Sequence, residues 1–281
     1  MRAPDFLLAR AVQKTDPRYF QILALLSLTV IQITQSDFSP DLFVFPVILG
    51  AILVSHYLSE MYVKGKLVSP FLSDYRSVFI SAFSLFLLLR ANEIWVYALA
   101  AFICVFGKVV FRTPEGHIFN PANLAIVLLL LGLPQYVWIS PGQWGHSGWL
   151  AGLMICLAAL VLSGARQLDT AFLFFASFGG MVLARALWLG DELAIPFHSL
   201  QNGALLIFTF FMITDPKTTP GTFRGRLVFA VGVAALSTAM IYIFQIREAL
   251  FYSLAIVCAG YGAYQLFSMR RGDHHHETSF A

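Results

Sequence analysis

Charge is what this 281-residue sequence has least of. Only 12% of its residues are Asp, Glu, Lys or Arg, about half of the ~25% that a soluble domain uses to clothe its surface. The few charges cluster between apolar runs instead of spreading along helix faces, which excludes a water-soluble fold. The net charge of +3 comes without a continuous basic stripe, so a nucleic-acid partner is not indicated. Cysteine is also scarce: Cys104, Cys156 and Cys258 each stand inside an apolar run with no CxxC and no His/Cys cluster, so neither a disulfide framework nor structural zinc is expected. They read as small core residues. No Ser-His-Asp or Cys-His set, P-loop or HExxH is present, which removes soluble-style catalysis. Residues 1–19 are polar and lack a short apolar core with a small-residue cleavage site, so no removable signal peptide is expected and the first span serves as the insertion signal.

What is present is apolar: 58% of the chain is hydrophobic, with 27 phenylalanines and a mean hydropathy of +0.75. Apolar runs, judged against the ~20 residues of a spanning helix, predict an all-α polytopic membrane protein with about ten transmembrane helices. They are Phe20–Thr34, Leu42–Leu58, Val78–Leu89, Ile94–Phe106, Pro121–Leu133, Trp149–Leu162, Thr170–Leu189, Phe197–Ile213, Leu227–Phe244 and Ala249–Phe267. The chain then divides into a cytoplasmic N-terminal segment (1–19), one transmembrane domain (20–267) and a cytoplasmic tail (268–281). In the tail, Asp273 and the run His274-His275-His276-Glu277 are only weakly metal-like and read as a solvated terminus.

Basic residues test the span count, because Lys and Arg collect in cytoplasmic loops. Fifteen of the eighteen fall on one set of alternate loops: Arg2, Arg10, Lys14, Arg18, Lys64, Lys66, Arg76, Lys108, Arg112, Arg166, Lys217, Arg224, Arg226, Arg270 and Arg271. The other set holds Arg90, Arg185 and Arg247. A wrong count would scramble this alternation, so the pattern predicts an even number of crossings with both termini in the cytoplasm. Tyr136, Trp138, Trp144 and Trp149 gather in one outer loop, where amphipathic rings anchor at the headgroups.

The third and fifth spans are too short to cross ~30 Å as regular helices. Interrupted helices survive at membrane depth only where they are buried or line a cavity, and paired ones mark a site. Five spans per half give the second half the opposite orientation, the topology of a 5+5 inverted repeat; Ser81–Leu89 matches Asn202–Phe210 loosely.

Three motifs carry possible chemistry. Gly107-Lys108 precedes Gly116-His117-Ile118-Phe119-Asn120-Pro121-Ala122-Asn123, in which Asn120 is placed to cap a helix that starts at Pro121. The exposed N–H groups of such a helix start attract anions, with Lys108 beside them, and leave His117 and Asn123 as polar groups at a site entrance. In Phe210–Pro220, Asp215-Pro216 stops a helix; Asp215 either pairs with Lys217 or Arg224 or, as a carboxylate ending an apolar run, serves function. The third is His198, Gln201 and Asn202, which one continuous helix would set on a single face.

The first two motifs together resemble the RnfD/NqrB family, membrane subunits of Rnf-type and Na+-pumping NADH:quinone oxidoreductase complexes. Gly107-Lys108 with Phe119-Asn120-Pro121-Ala122 is similar to the family's GK…NPFNPA stretch. Phe211-Met212-Ile213-Thr214-Asp215-Pro216 with Arg224-Gly225-Arg226-Leu227-Val228-Phe229 is similar to FFxATDP…GRLIFG. The resemblance covers about residues 75–265. It implies a ten-helix inverted-repeat fold in the inner (plasma) membrane of a bacterium, with other redox subunits and the lipid bilayer as partners. It also implies electron transfer coupled to ion movement. One departure stands out: the family carries FMN on the threonine of an outward SGAT motif, whereas the nearest string here is Leu162-Ser163-Gly164-Ala165-Arg166, with arginine in that place. The expectation is therefore FMN or riboflavin held without a covalent bond, or no flavin. Lys108, His117, Asn120, Asn123, Thr214, Asp215, His198 and Asn202 are the candidate cofactor-binding residues; no catalytic or metal residue is assigned. Without haem-ligating histidine pairs or iron–sulfur cysteines, the chain is at most a subunit of a redox complex. A channel or secondary transporter on the same fold, or a membrane scaffold, are the rival readings.

Overall fold

The computed structural model describes residues 16–35, 41–65, 75–114, 116–140 and 167–277. It is mostly helical. The elements are α1 (Pro17–Gln35), α2 (Val44–Lys64), α3 (Tyr75–Leu88), β1 (Leu89–Ala91), α4 (Ile94–Val110), β2 (Arg112–Thr113), β3 (Gly116–His117), α5 (Pro121–Gly132) and β4 (Val137–Ile139). They continue with α6 (Leu168–Leu189), α7 (Ala194–Leu200), α8 (Gly203–Ile207), a π turn (Phe208–Met212), α9 (Phe223–Tyr242) and α10 (Ala249–Glu277).

Eight of the ten apolar runs form one helix at the expected place, the eighth forms two short helices and a π turn, and the sixth, Trp149–Leu162, lies outside the described residues. So do Trp144, Trp149, Cys156 and the Ser163-Gly164-Ala165-Arg166 string. Four helices are long and apolar enough to cross a bilayer: α2, α6, α9 and the Ala249–Ser268 part of α10. The α7/α8 pair makes a fifth if taken as one bent span. This is a multi-pass membrane protein.

The long and the short helices differ in what surrounds them. On α2, α6 and α9, large apolar side chains such as Leu53, Phe172, Trp188 and Val228 are exposed, as lipid contact requires. The short elements are enclosed. Every residue from Ser81 to Arg90 is buried, as are Pro121–Val127 and Gly203–Thr209. At 1.5 Å per residue, α5 extends only about 18 Å, so both of its ends must find polar partners inside the protein. α3 packs against α1 and α2, α4 lies between α2 and α5, α9 packs on α6 and α10, and α10 returns to α5. Close approach of α4 and α5 rests on Gly107, where a Cβ would lie 2.6 Å from Leu124 Cδ2.

Beyond α3 the chain stays buried but turns extended. β1 pairs antiparallel with β4, Arg90 facing Trp138 in register, and the Ser140 N–H donates to the Leu88 carbonyl at 2.8 Å. Turning at Leu133–Tyr136, β4 thus dips back beside the end of α3, which satisfies backbone groups that have no water to bond.

The eighth run departs from its expectation. It breaks at Gln201-Asn202, and the axes of its two parts are bent by 49°. His198, Gln201 and Asn202 therefore do not share a helix face: His198 belongs to α7, Gln201 caps its C-terminus, and Asn202 opens α8. The physical reason is the Asn202 side chain, which accepts from the Ala204 N–H at 2.8 Å and starts a new helix.

Candidate functional site

Asn120 fixes the start of α5. Its Oδ1 accepts from the Asn123 N–H at 3.1 Å, with Pro121 in the first turn, a position where proline's missing N–H costs nothing. The amide's other end reaches across the molecule: Nδ2 lies 3.4 Å from the Met212 carbonyl and 3.5 Å from Asp215 Oδ2. One buried side chain therefore joins the N-terminus of α5 to the C-terminus of the π turn. Asn123, 1% exposed, donates to the Phe251 carbonyl at 3.2 Å and so ties α5 to α10. Its Oδ1 is buried with no partner among the described residues.

The π turn belongs to this junction. The Ile213 N–H donates to the Phe208 carbonyl five residues back at 3.1 Å, a rare spacing frequent at functional sites. After it, Asp215 organises a tight loop. Its backbone carbonyl accepts from the N–H groups of Thr218 and Thr219 at 3.1 Å each, and the Thr219 hydroxyl donates to the same carbonyl at 2.8 Å. The carboxylate Oδ1 takes the Lys217 N–H at 3.1 Å, while Oδ2 faces His117 Nε2 at 3.8 Å. Of the two pairings open to Asp215, the described contacts are to histidine, an amide and backbone N–H groups.

His117 comes from the β2–β3 hairpin, in which Arg112 pairs with His117 and Thr113 with Gly116. Its Nδ1 lies 2.8 Å from the Phe119 carbonyl. A carbonyl only accepts, so Nδ1 carries the hydrogen and a neutral ring turns its Nε2 lone pair toward Asp215. Burial pushes the imidazole below its ordinary range; Asp215 and the Phe119 carbonyl oppose that, and Lys108 and Lys217 add to it.

Facing this wall is Lys108, whose ammonium donates to the hydroxyls of Ser77 at 2.9 Å and Ser81 at 3.2 Å. Between the walls is a cavity of about 360 Å³, within the range of ~300–1,000 Å³ typical of ligand pockets. Lys108, Ser77, Ser81 and Ser84 form one side; His117, Asn120, Thr214 and Asp215 form the other; Ile80, Pro121, Phe210 and Phe211 supply apolar surface, and Asp16 and Arg18 stand at its edge. Lys108, His117, Asn120, Thr214 and Asp215 are thus brought together, with Asn123 one turn behind. His198 and Asn202 do not line this cavity. The serines escape a reading of the sequence because serine in an apolar run looks like a small packing residue; their spacing at 77, 81 and 84, one helical face, is the available signal.

Fold and site together define a polytopic membrane protein in which interrupted helices meet at a cavity lined by both polar and apolar side chains. Residues 140–259 match the family model described as NQR2, RnfD, RnfE family. Three curated relatives are each named as a subunit of the ion-translocating oxidoreductase complex. That from Stutzerimonas stutzeri is 29% identical over 198 residues (46% of this chain, 56% of the relative). That from Ectopseudomonas mendocina is 26% identical over 223 residues (59% and 65%), and that from Klebsiella pneumoniae 34% over 103 residues (36% and 28%). The chain thus spans less than two thirds of the length of these relatives. Over these stretches its sequence is similar to that of RnfD/NqrB-like proteins.

Proposed function

We propose that the chain is the membrane-embedded subunit of an ion-translocating electron-transfer complex of the bacterial inner membrane, and that its cavity holds a flavin without a covalent bond. The observation that carries this reading is the cavity itself, placed where both family-like motifs meet. Its residues fit a flavin: apolar surface from Ile80, Pro121, Phe210 and Phe211 lies between a donor wall at Lys108 and an acceptor wall at Asp215 and His117 Nε2. A bound flavin supplies one- and two-electron redox chemistry. The protein's part is to orient the ring between Lys108 and the Asp215–His117 pair, to keep water out, and to hold the Nε2 position of His117 open to a proton. Redox partners are required, because electrons must enter and leave through other cofactors. The name that the relatives carry supports such a complex.

The same reading takes ten spans, both termini in the cytoplasm, and a 5+5 inverted repeat in a single domain over 20–267. The two interrupted spans share one local device: Asn120 and Asn202 cap their helices with nearly the same backbone angles, φ −59° and ψ 125° against φ −61° and ψ 126°.

The test is the absorbance and fluorescence spectrum of detergent-purified protein before and after acid precipitation. Flavin bands that leave with the supernatant are expected. Flavin in the pellet means a covalent attachment, and a colourless protein transfers the weight to the transporter or scaffold reading.

A further inference from the structure

On the side of α3 away from the cavity mouth lies a buried cation that the proposed function does not use. Arg90 is only 8% exposed. Its Nη1 donates to the carbonyls of Phe86 at 2.7 Å and Leu89 at 2.9 Å, capping the C-terminal end of α3, where a cation is favoured. Among the described residues its buried Nη2 has no hydrogen-bond partner and no carboxylate pairs with it. Capping explains one nitrogen; it does not explain why a full guanidinium is buried where a neutral donor would serve at far lower desolvation cost.

The position is informative. Ser84 lines the cavity, and Phe86, whose carbonyl holds the guanidinium, is two residues further, about 3 Å along the axis. Past that point the β1–β4 pair closes the end, with Ser140 pinned to Leu88 and approached by Gln32 Nε2 at 3.5 Å. The Gln32 Oε1 is another buried atom with no partner among the described residues. The cavity therefore reaches α3 as far as Ser84, and a fixed positive charge sits on the carbonyls at the C-terminal end of the same helix. In a low-dielectric interior a fixed cation repels other cations strongly, and a pore-lining arginine is one of the means by which membrane proteins exclude protons and cations.

The geometry points to Arg90 as an electrostatic stopper that keeps protons and metal cations from passing between the cavity and the opposite face. The role does not depend on a bound flavin. It is tested with the full chain reconstituted into phosphatidylethanolamine/phosphatidylglycerol vesicles containing a trapped pH-sensitive dye, the membrane potential clamped with potassium and valinomycin. Arg90→Met is expected to raise proton entry about tenfold, the factor that ~1.4 kcal/mol of lost barrier gives, whereas Arg90→Lys stays as tight as the parent chain. A monodisperse Arg90→Met protein that remains tight overturns the proposal. So does an Arg90→Lys protein as leaky as the methionine variant, since capping and not charge would then be at work. If Arg90→Met does not fold, Arg90→Gln decides: it keeps a side-chain donor for the Phe86 and Leu89 carbonyls and removes the charge, so leak supports the stopper and tightness overturns it.

Discussion

The half-helices α5 and α8 begin alike and end differently. Each opens on an asparagine whose Oδ1 takes a backbone N–H of the first turn. α5, however, presents its capped N-terminus to the cavity, whereas α8 presents its far end, the π turn and the Thr214-Asp215 loop. Asn120 is buried and its amide crosses to Met212; Asn202 is exposed and serves only its own helix. A helix start carries partial positive charge and a helix end partial negative charge, so two similar pieces of chain, oppositely directed, bring ends of opposite character together on one wall of the cavity. Capping chemistry is local; what a cap does for the molecule depends on which end of its helix faces the site.

The sharpest way to break this contrast is Asn120→Ala. It removes a cap worth ~1 kcal/mol and a donor to the buried Met212 carbonyl, adding about 1–3 kcal/mol, so a loss of about 2–4 kcal/mol is expected in denaturant unfolding of the detergent-solubilised protein. Gly107→Ala comes next. Its Cβ would drive into Leu124 and push α5 off α4, at a cost of about 1–3 kcal/mol, while Gly50→Ala on α2, with open space around it, costs nothing measurable. Asn202→Ala removes a cap alone and should cost about 0.5–1 kcal/mol; a loss equal to that of Asn120→Ala would erase the distinction between the two starts. The smallest effect is on pH dependence. With the folded pKa of His117 lowered, the unfolded chain binds the proton more readily, so this residue's contribution is fully present above pH ~6.5 and is lost as pH falls below it. His117→Gln should flatten that slope in thermal melts between pH 7 and 5.

How much of this was legible depends on the range of the interaction. The α5 start was legible because Asn-Pro followed by Asn carries its own cap within four residues. The stop at Asp215-Pro216 was equally local. The Gln201-Asn202 break was not, since an asparagine between two apolar stretches fits a polar stripe on one helix as well as the cap of a second. Arg90 reads from the sequence as a loop charge, because its burial depends on β4, almost fifty residues later, folding back beside Leu88. The Asn120–Met212 and His117–Asp215 contacts bridge some ninety residues and leave no local periodicity to detect.

The β1–β4 pairing also has a consequence for biogenesis. When α3 and Arg90 have left the ribosome, the strand that will satisfy β1 has not been made, and open N–H and C=O groups cannot be released into lipid at tolerable cost. The α3–β1 segment is therefore not a finished unit when it is made. Residues 89–91 are expected to stay in a protected or hydrated setting until residues 137–140 emerge. How long they wait is set by the synthesis of a three-residue strand.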